Sequence, residues 1–127
     1  MAGELILIVE DNDKNLKLAR DVLQYRGFRT LEATTAADGI ALAAEHLPDL
    51  VLMDIQLPDA DGISALGQLR AQPATAAIPV VALTAFVMQA DRERIAAAGF
   101  DGYLAKPIDV KSFPDQVARH CGARDGR

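Results

Sequence analysis

Short apolar runs alternate with longer segments of mixed polarity along the chain. Three runs are almost continuously apolar and rich in Val, Leu and Ile: Leu5–Val9 and residues 50–53 and 78–83. Runs of this length predict strands that are buried on both faces. Weaker runs at residues 28–33 and 101–105 predict shorter strands at the edges of a sheet.

Segments of helical length lie between these strands. Asp13, Asp61 and Asp109 stand where helix N-caps are expected, and Gly27 and Gly99 stand just after helix ends. Alternation of strand and helix predicts an α/β fold, a parallel sheet with helices on both faces and right-handed crossovers. The predicted helices cover residues 13–26, 36–46, 62–71, 87–98 and 110–121.

Length and composition narrow the class of protein. The 127 residues suit a single domain, which we expect to cover residues 1–122, followed by a frayed tail at 123–127. A net charge of −5 argues against nucleic-acid partners. The single Cys121 excludes an internal disulfide and a cysteine zinc site. No apolar run reaches the roughly 20 residues of a membrane span, so we expect a soluble, cytoplasmic protein without membrane insertion.

Residues capable of chemistry follow four of the predicted strands. Glu10 and Asp11 follow the first, Asp54 the third, Thr84 the fourth and Lys106 the fifth. In open α/β sheets, ligands bind beyond the carboxyl ends of the strands. A strand-end Asp alone is most often a helix cap, and a lone Lys is most often solvated. All five side chains meeting at one sheet edge indicate a functional site instead.

The residue types in this group favour a hard cation and a phosphoryl group. Two or three carboxylates held close together repel one another unless a cation lies between them. Oxygen ligands with water favour Mg²⁺ over zinc. The amine and the hydroxyl supply donors for phosphoryl oxygens.

Several short motifs resemble the receiver domain of two-component response regulators. They are Glu10-Asp11, the segment LMDIQLP at 52–58, Asp61-Gly62, Leu83-Thr84-Ala85 and Lys106-Pro107. The resemblance covers residues 5–120 and is strongest to DivK-like, CheY-like single-domain receivers. It implies a flavodoxin-like, doubly wound (βα)5 fold with strand order 2-1-3-4-5, in which the strands before Asp11 and Asp54 are neighbours. It also implies a phosphorelay receiver that is phosphorylated by a histidine kinase or a histidine phosphotransferase.

The resemblance assigns a role to each matching residue. Asp54 would be the phospho-acceptor, and Asp11, Asp54 and the backbone carbonyl of Gln56 would bind Mg²⁺, with Mn²⁺ as a possible substitute. Glu10, where many members of the family have Asp, would act through water. Lys106 and Thr84 would contact the phosphoryl group.

The same resemblance implies how the signal leaves the domain. Thr84 and Tyr103 would form the switch, and the face of the fourth helix, fifth strand and fifth helix would bind a downstream protein. Gln56 and Phe86 match positions that tune phosphate lifetime, and Phe86 predicts slow dephosphorylation. A cis peptide is expected between Lys106 and Pro107.

The first helix has an apolar arc that is wider than the core requires. Leu16, Leu18 and Val22, with their neighbours, span roughly 160° of the helical wheel, against a need of roughly 100°. Isolated surface leucines are also ordinary. The alternative is a docking surface for the helical phosphodonor, formed by Asn12, Asn15, Leu16, Leu18, Pro107 and Ile108.

Other functions fit the sequence less well. A phosphatase with an Asp nucleophile would need a second acid two positions later, where Gln56 stands. An FMN carrier would need a phosphate-binding loop after the first strand, where Glu10 and Asp11 are acidic. A docking module without phosphorylation would not need the complete acidic, Thr and Lys set. We therefore expect no enzyme acting on other molecules, and the chain is either a free receiver or part of a hybrid histidine kinase.

Overall fold

The structure, a computed structural model, describes residues 3–85 and 88–121. Within them a parallel sheet has the order β2-β1-β3-β4-β5, which confirms the predicted strand order. The strands are β1 (Leu5–Val9), β2 (Arg29–Ala33), β3 (Leu50–Asp54), β4 (Val80–Thr84) and β5 (Gly102–Ala105). The helices are α1 (Asp13–Tyr25), α2 (Ala36–His46), α3 (Gly62–Ala71), α4 (Gln89–Ala98) and α5 (Phe113–His120).

Two apolar cores lie on opposite faces of the sheet. Residues Leu7 and Val9 of β1 face α2, α3 and α4, whereas Ile6 and Ile8 face α1 and α5. β3 and β4 are buried along their whole length, as their continuous apolar runs predict. Side chains that alternate between two covered faces explain why these strands contain so few polar residues.

Several predicted boundaries differ from the structure, and three of these differences have a clear physical cause. Asn12, not Asp13, caps α1, because its side chain accepts a hydrogen bond from the Asn15 N–H at 3.0 Å. α5 begins at Phe113 rather than at residue 110, because Asp109 caps the preceding turn through the Ser112 hydroxyl at 2.7 Å. β4 begins at Val80 and not at residue 78, because Pro79 lacks an N–H for the ladder.

Other local predictions are confirmed. Asp61 caps α3, accepting from the Ser64 N–H at 2.7 Å. Gly27 and Gly99 have φ values of 96° and 104° just after α1 and α4, a conformation that favours glycine. Three predictions fall outside the described residues: the role of Phe86, the start of α4 at residue 87 and the tail at 123–127. None of the described helices is both long and apolar enough to cross a membrane.

Candidate functional site

A polar cavity of about 740 Å³ opens at the carboxyl edge of the sheet. β1 and β3 are neighbours in the sheet, so the residues that follow them lie on two sides of the same cavity. Its lining includes the predicted residues Glu10, Asp11, Asp54, Thr84 and Lys106, together with Gln56. The structure therefore brings together the chemical groups that the sequence places after four separate strands.

Three carboxylates converge in this cavity. An oxygen from each of Glu10, Asp11 and Asp54 lies within 4.8 Å of the others. Asp11 is exposed, whereas Glu10 and Asp54 are 1% and 5% exposed. Oxygen-only ligands with one solvent-facing side suit a cation that keeps part of its water shell, so the acidic cluster fits Mg²⁺.

Lys106 bridges the two buried carboxylates. Its Nζ lies 2.6 Å from Glu10 Oε1 and 3.0 Å from Asp54 Oδ2. The other Glu10 oxygen accepts the Asn12 N–H at 3.1 Å. The peptide bond from Lys106 to Pro107 is cis, as the resemblance implies. The sequence placed Lys106 in the site but did not predict its ion pair with Glu10.

The pKa values in this group reflect burial and pairing. Burial, reinforced by the neighbouring Asp54, raises the pKa of Glu10 above its ordinary value. Burial alone would lower the pKa of Lys106, but its hydrogen bonds to Glu10 and Asp54 outweigh that effect and raise it. Lys106 is thus a fixed positive charge beside Asp54 at neutral pH.

The Asp54 carboxylate is fixed by its own backbone as well as by lysine. Its Oδ1 accepts the Gln56 N–H at 3.0 Å, and its Oδ2 faces Lys106. A Cβ on Gly62 would lie 2.6 Å from the Asp54 carbonyl oxygen, so only glycine allows α3 to begin this close to the acid. The close approach of α3 to Asp54 therefore explains the glycine in the motif Asp61-Gly62.

The two predicted switch residues lie on adjacent strands. Thr84, at the end of β4, is 2% exposed and lines the cavity. Tyr103 on β5 is half-buried against the core beneath α3 and α4, and its hydroxyl accepts from Arg92 Nη1 at 3.4 Å. Tyr103 is not among the residues that line the cavity, so the site does not contact this ring directly.

Only two of the six predicted docking residues line the cavity, and the others differ in burial. Asn12 and Asn15 line the cavity, and Leu18 is 37% exposed. Leu16 and Ile108 are only partly accessible, because both pack on the core beneath α1 and α5. Pro107 is exposed.

One residue near the site was missed by the sequence analysis. The Asp59 carboxylate, in the loop between β3 and α3, accepts the N–H groups of Ala36 and Ala37 at 2.8 and 3.0 Å. These two hydrogen bonds hold the pKa of Asp59 below its ordinary value. The two alanines lie more than 20 positions earlier in the chain, so no local sequence pattern predicts this contact.

Comparison with known proteins gives concordant results. The sequence profile of the response regulator receiver domain matches residues 6–118. The polar-differentiation response regulator DivK of Brucella ovis is 41% identical over 92% of this chain and 95% of its own. The receiver domain of the sensor histidine kinase PA1611 from Pseudomonas aeruginosa, solved with a magnesium ion in its active site cleft, is 36% identical. It superimposes with a TM-score of 0.86 over 95% of this chain and 99% of its own. The chemotaxis protein CheY4 of Vibrio cholerae, at 21% identity, shares the fold with a TM-score of 0.87 over 93% of this chain and 98% of its own.

Proposed function

Since this chain belongs to the response regulator receiver domain family, it is a phosphorelay receiver, and we propose that Asp54 is the residue that accepts the phosphoryl group. One observation carries the proposal: Asp54 is the carboxylate that both faces the cavity and contacts Lys106 and the Gln56 N–H. Glu10 also lines the cavity and pairs with Lys106, but its second oxygen accepts the Asn12 N–H and not that of Gln56.

We propose that Asp11, Asp54 and the Gln56 carbonyl bind Mg²⁺, or Mn²⁺ as a substitute. Glu10 acts through water, as the family resemblance implies, and its Oε1 remains paired with Lys106 at 2.6 Å. The acidic cluster and the magnesium in the PA1611 receiver support this assignment. When bound, the cation reduces the repulsion between the carboxylates and an anionic phosphoryl group.

The chain's own residues then account for the transfer. An Asp54 oxygen attacks phosphorus in line, a new O–P bond forms, and the bond to the donor histidine nitrogen breaks. Lys106 stabilises negative charge on the phosphoryl oxygens, and the Thr84 hydroxyl donates a hydrogen bond to one of them. The product is an acyl phosphate on Asp54.

We propose that this chemistry is confined to the protein itself. A hydrolase would need an acid to protonate its leaving group, and the position two residues after Asp54 is Gln56. The expected activity is self-phosphorylation and slow loss of the phosphate, not turnover of another substrate. The cytoplasm is the proposed location, because the phosphodonors on which the proposed function depends act there.

Intact-mass measurement after incubation with acetyl phosphate and Mg²⁺ tests the acceptor. The wild type should gain one phosphoryl group, and Asp54→Asn should gain none, because an amide is not a nucleophile at neutral pH. Asp38→Asn, at an exposed position in the first turn of α2, is the matched control and should be phosphorylated normally. A phosphoryl group on Asp54→Asn, or full phosphorylation in excess EDTA, would refute the proposal.

We propose that a helical histidine donor docks where α1 meets the loop after β5. Leu18 is exposed three residues after the cavity residue Asn15 on α1, and Pro107 is exposed directly after the cavity residue Lys106. A contact that forms and breaks in each transfer needs only a small apolar area.

Two phosphodonors separate docking from chemistry. Leu18→Lys should be phosphorylated by acetyl phosphate at the wild-type rate, because the small donor enters only the cavity. Transfer from a phosphorylated histidine phosphotransferase should slow. Lys17→Leu, at a neighbouring exposed position, is the control for a general effect of charge on α1. Equal slowing with both donors would contradict the docking assignment.

We also propose that a downstream protein binds the face formed by α4, β5 and α5. The Tyr103 ring lies under α4, and its hydroxyl bonds to Arg92. A phosphoryl group that draws Thr84 towards it changes the space available to this ring, which shifts the population between two packings.

A further inference from the structure

The loop between β3 and α3 is attached to the fold at two separate places. At its base, the Gly62 N–H donates to the Ile55 carbonyl at 2.8 Å, and Gln56 forms a bridge with Asp61. At its tip, Asp59 reaches the beginning of α2. Gln56, whose carbonyl is a proposed metal ligand, belongs to the base attachment and lies three residues before Asp59.

The contact at the tip consists of two hydrogen bonds to a carboxylate. Both Asp59 oxygens accept backbone N–H groups, at 2.8 and 3.0 Å, and those groups are among the N–H groups at a helix start that have no partner within the helix. The positive end of the helix dipole also attracts the carboxylate. These two hydrogen bonds lower the pKa of Asp59, which means that they favour its charged form.

The helix itself already has an ordinary cap. The Thr35 hydroxyl oxygen accepts the Asp38 N–H at 3.1 Å, and Thr35 has the extended backbone of an N-cap. α2 therefore has one cap from its own sequence and a second from the loop that follows Asp54. The second cap fixes the loop with respect to α2, which the first cannot do.

We propose that Asp59 is a positioning residue, which holds the loop against α2 and so keeps the Gln56 carbonyl in place for the cation. The proposal rests on the proposed function of the cavity. Asp59 does not line the cavity, so its effect on the site passes through the loop backbone. Residues that orient a metal ligand without touching the metal commonly affect affinity in this way.

A comparison of two cap variants separates positioning from simple helix stabilisation. Asp59→Ala removes the contact between loop and helix, and Thr35→Ala removes the local cap of the same helix and leaves the loop attached. Asp59→Asn keeps one acceptor oxygen and should be intermediate. Mg²⁺ affinity is measured by titrating the backbone amide NMR signals, and stability by urea unfolding of the same samples.

Both alanine variants should unfold at lower urea concentration, but only Asp59→Ala should lose metal affinity. We expect a loss of about tenfold, the lower end of the range for groups that orient a metal ligand. In the absence of Mg²⁺, the Gln56 amide signal should move in Asp59→Ala and stay in place in Thr35→Ala.

Two results would overturn the proposal. One is wild-type Mg²⁺ affinity in Asp59→Ala; the other is equal loss of affinity in Thr35→Ala, which would make affinity follow helix stability. A wild-type protein that fails to bind Mg²⁺ would instead refute the proposed function of the cavity, so the two failures are distinguishable.

Discussion

α3 and α4 are helices of equal length on the same face of the sheet, yet they are held very differently. α3 buries Gly62, Ala65, Leu66 and Leu69 and is capped by Asp61. α4 buries only Ile95, and within the described residues no side chain caps it. Because apolar burial and caps supply most of the free energy that keeps a helix in place, α4 should open more easily than α3.

The two parts of the proposed function divide between these helices. Asp54 lies against the start of α3, at a distance that only glycine permits at position 62. Tyr103 bonds to Arg92 of α4. Segments that move during signalling are drawn from the least stable parts of a fold. We therefore expect the acceptor to be held against the firmly packed helix α3 and the response to involve the loosely packed helix α4.

The largest expected effect comes from crowding the contact between the start of α3 and Asp54. Gly62→Ala should destabilise the fold by about 1–3 kcal/mol, because the new methyl group meets backbone and cannot be accommodated by a rotamer change. Phosphorylation by acetyl phosphate should also slow as Asp54 is displaced. Urea unfolding and intact mass measure the two effects.

Position 67 of the same helix provides the matched control. A Cβ on Gly67 meets nothing within 4 Å, so Gly67→Ala should stabilise the fold by about 0.5–1 kcal/mol. Destabilisation by both substitutions would contradict the close approach at Gly62.

A smaller effect on stability is expected from mildly acidic pH, through His120 of α5, which packs against β5. Burial against β5, reinforced by Arg119, lowers the pKa of His120, and Asp101 opposes the shift. The unfolded chain therefore takes up the proton first, and stability present above an ordinary pKa near 6.5 is lost as the pH falls through and below it. Urea unfolding at neutral pH and at mildly acidic pH measures this loss.

His120→Gln should flatten that dependence, because glutamine does not titrate. A Cβ on the facing Gly102 would lie 2.6 Å from the imidazole, so the ring is held closely against β5. An unchanged pH dependence in His120→Gln would assign the loss of stability to other groups.

The smallest effect on stability is expected on α4. Arg92→Ala removes an exposed hydrogen bond of 3.4 Å and should change the free energy of unfolding by less than about 0.5 kcal/mol. The NMR signals of the Tyr103 ring should nevertheless shift. Arg94→Ala, also exposed on α4, should leave them unchanged. A large loss of stability in Arg92→Ala would show that α4 is held more firmly than its burial indicates.

The sequence predicted the fold well where the signal is local. Continuous apolar runs predicted β1 and β3, and Gly27 and Gly99 predicted two helix ends. Boundaries failed where two candidate residues compete, as at Asn12 and Asp13, since either side chain can cap and only the folded backbone selects one. The Pro79 position also shows that apolar character alone does not define a strand's first residue.

The candidate site divides in the same way. Residues that follow strands, such as Asp11 and Lys106, could be placed at one edge from topology. The pairing of Lys106 with Glu10, and the contact of Asp59 with α2, depend on side-chain positions across elements distant in sequence. Such contacts leave no periodic pattern, so a single sequence does not reveal them.

Hydrogen exchange followed by mass spectrometry, before and after phosphorylation with acetyl phosphate and Mg²⁺, measures whether α4 and β5 respond to the phosphoryl group while α3 does not. Intact mass of the same sample verifies that one phosphoryl group is present, and Asp54→Asn treated identically is the control. We predict that exchange changes in α4 and β5 and stays slow and unchanged in α3. Unchanged exchange in α4 and β5, or a change confined to α3, would contradict the proposed division of roles between α3 and α4.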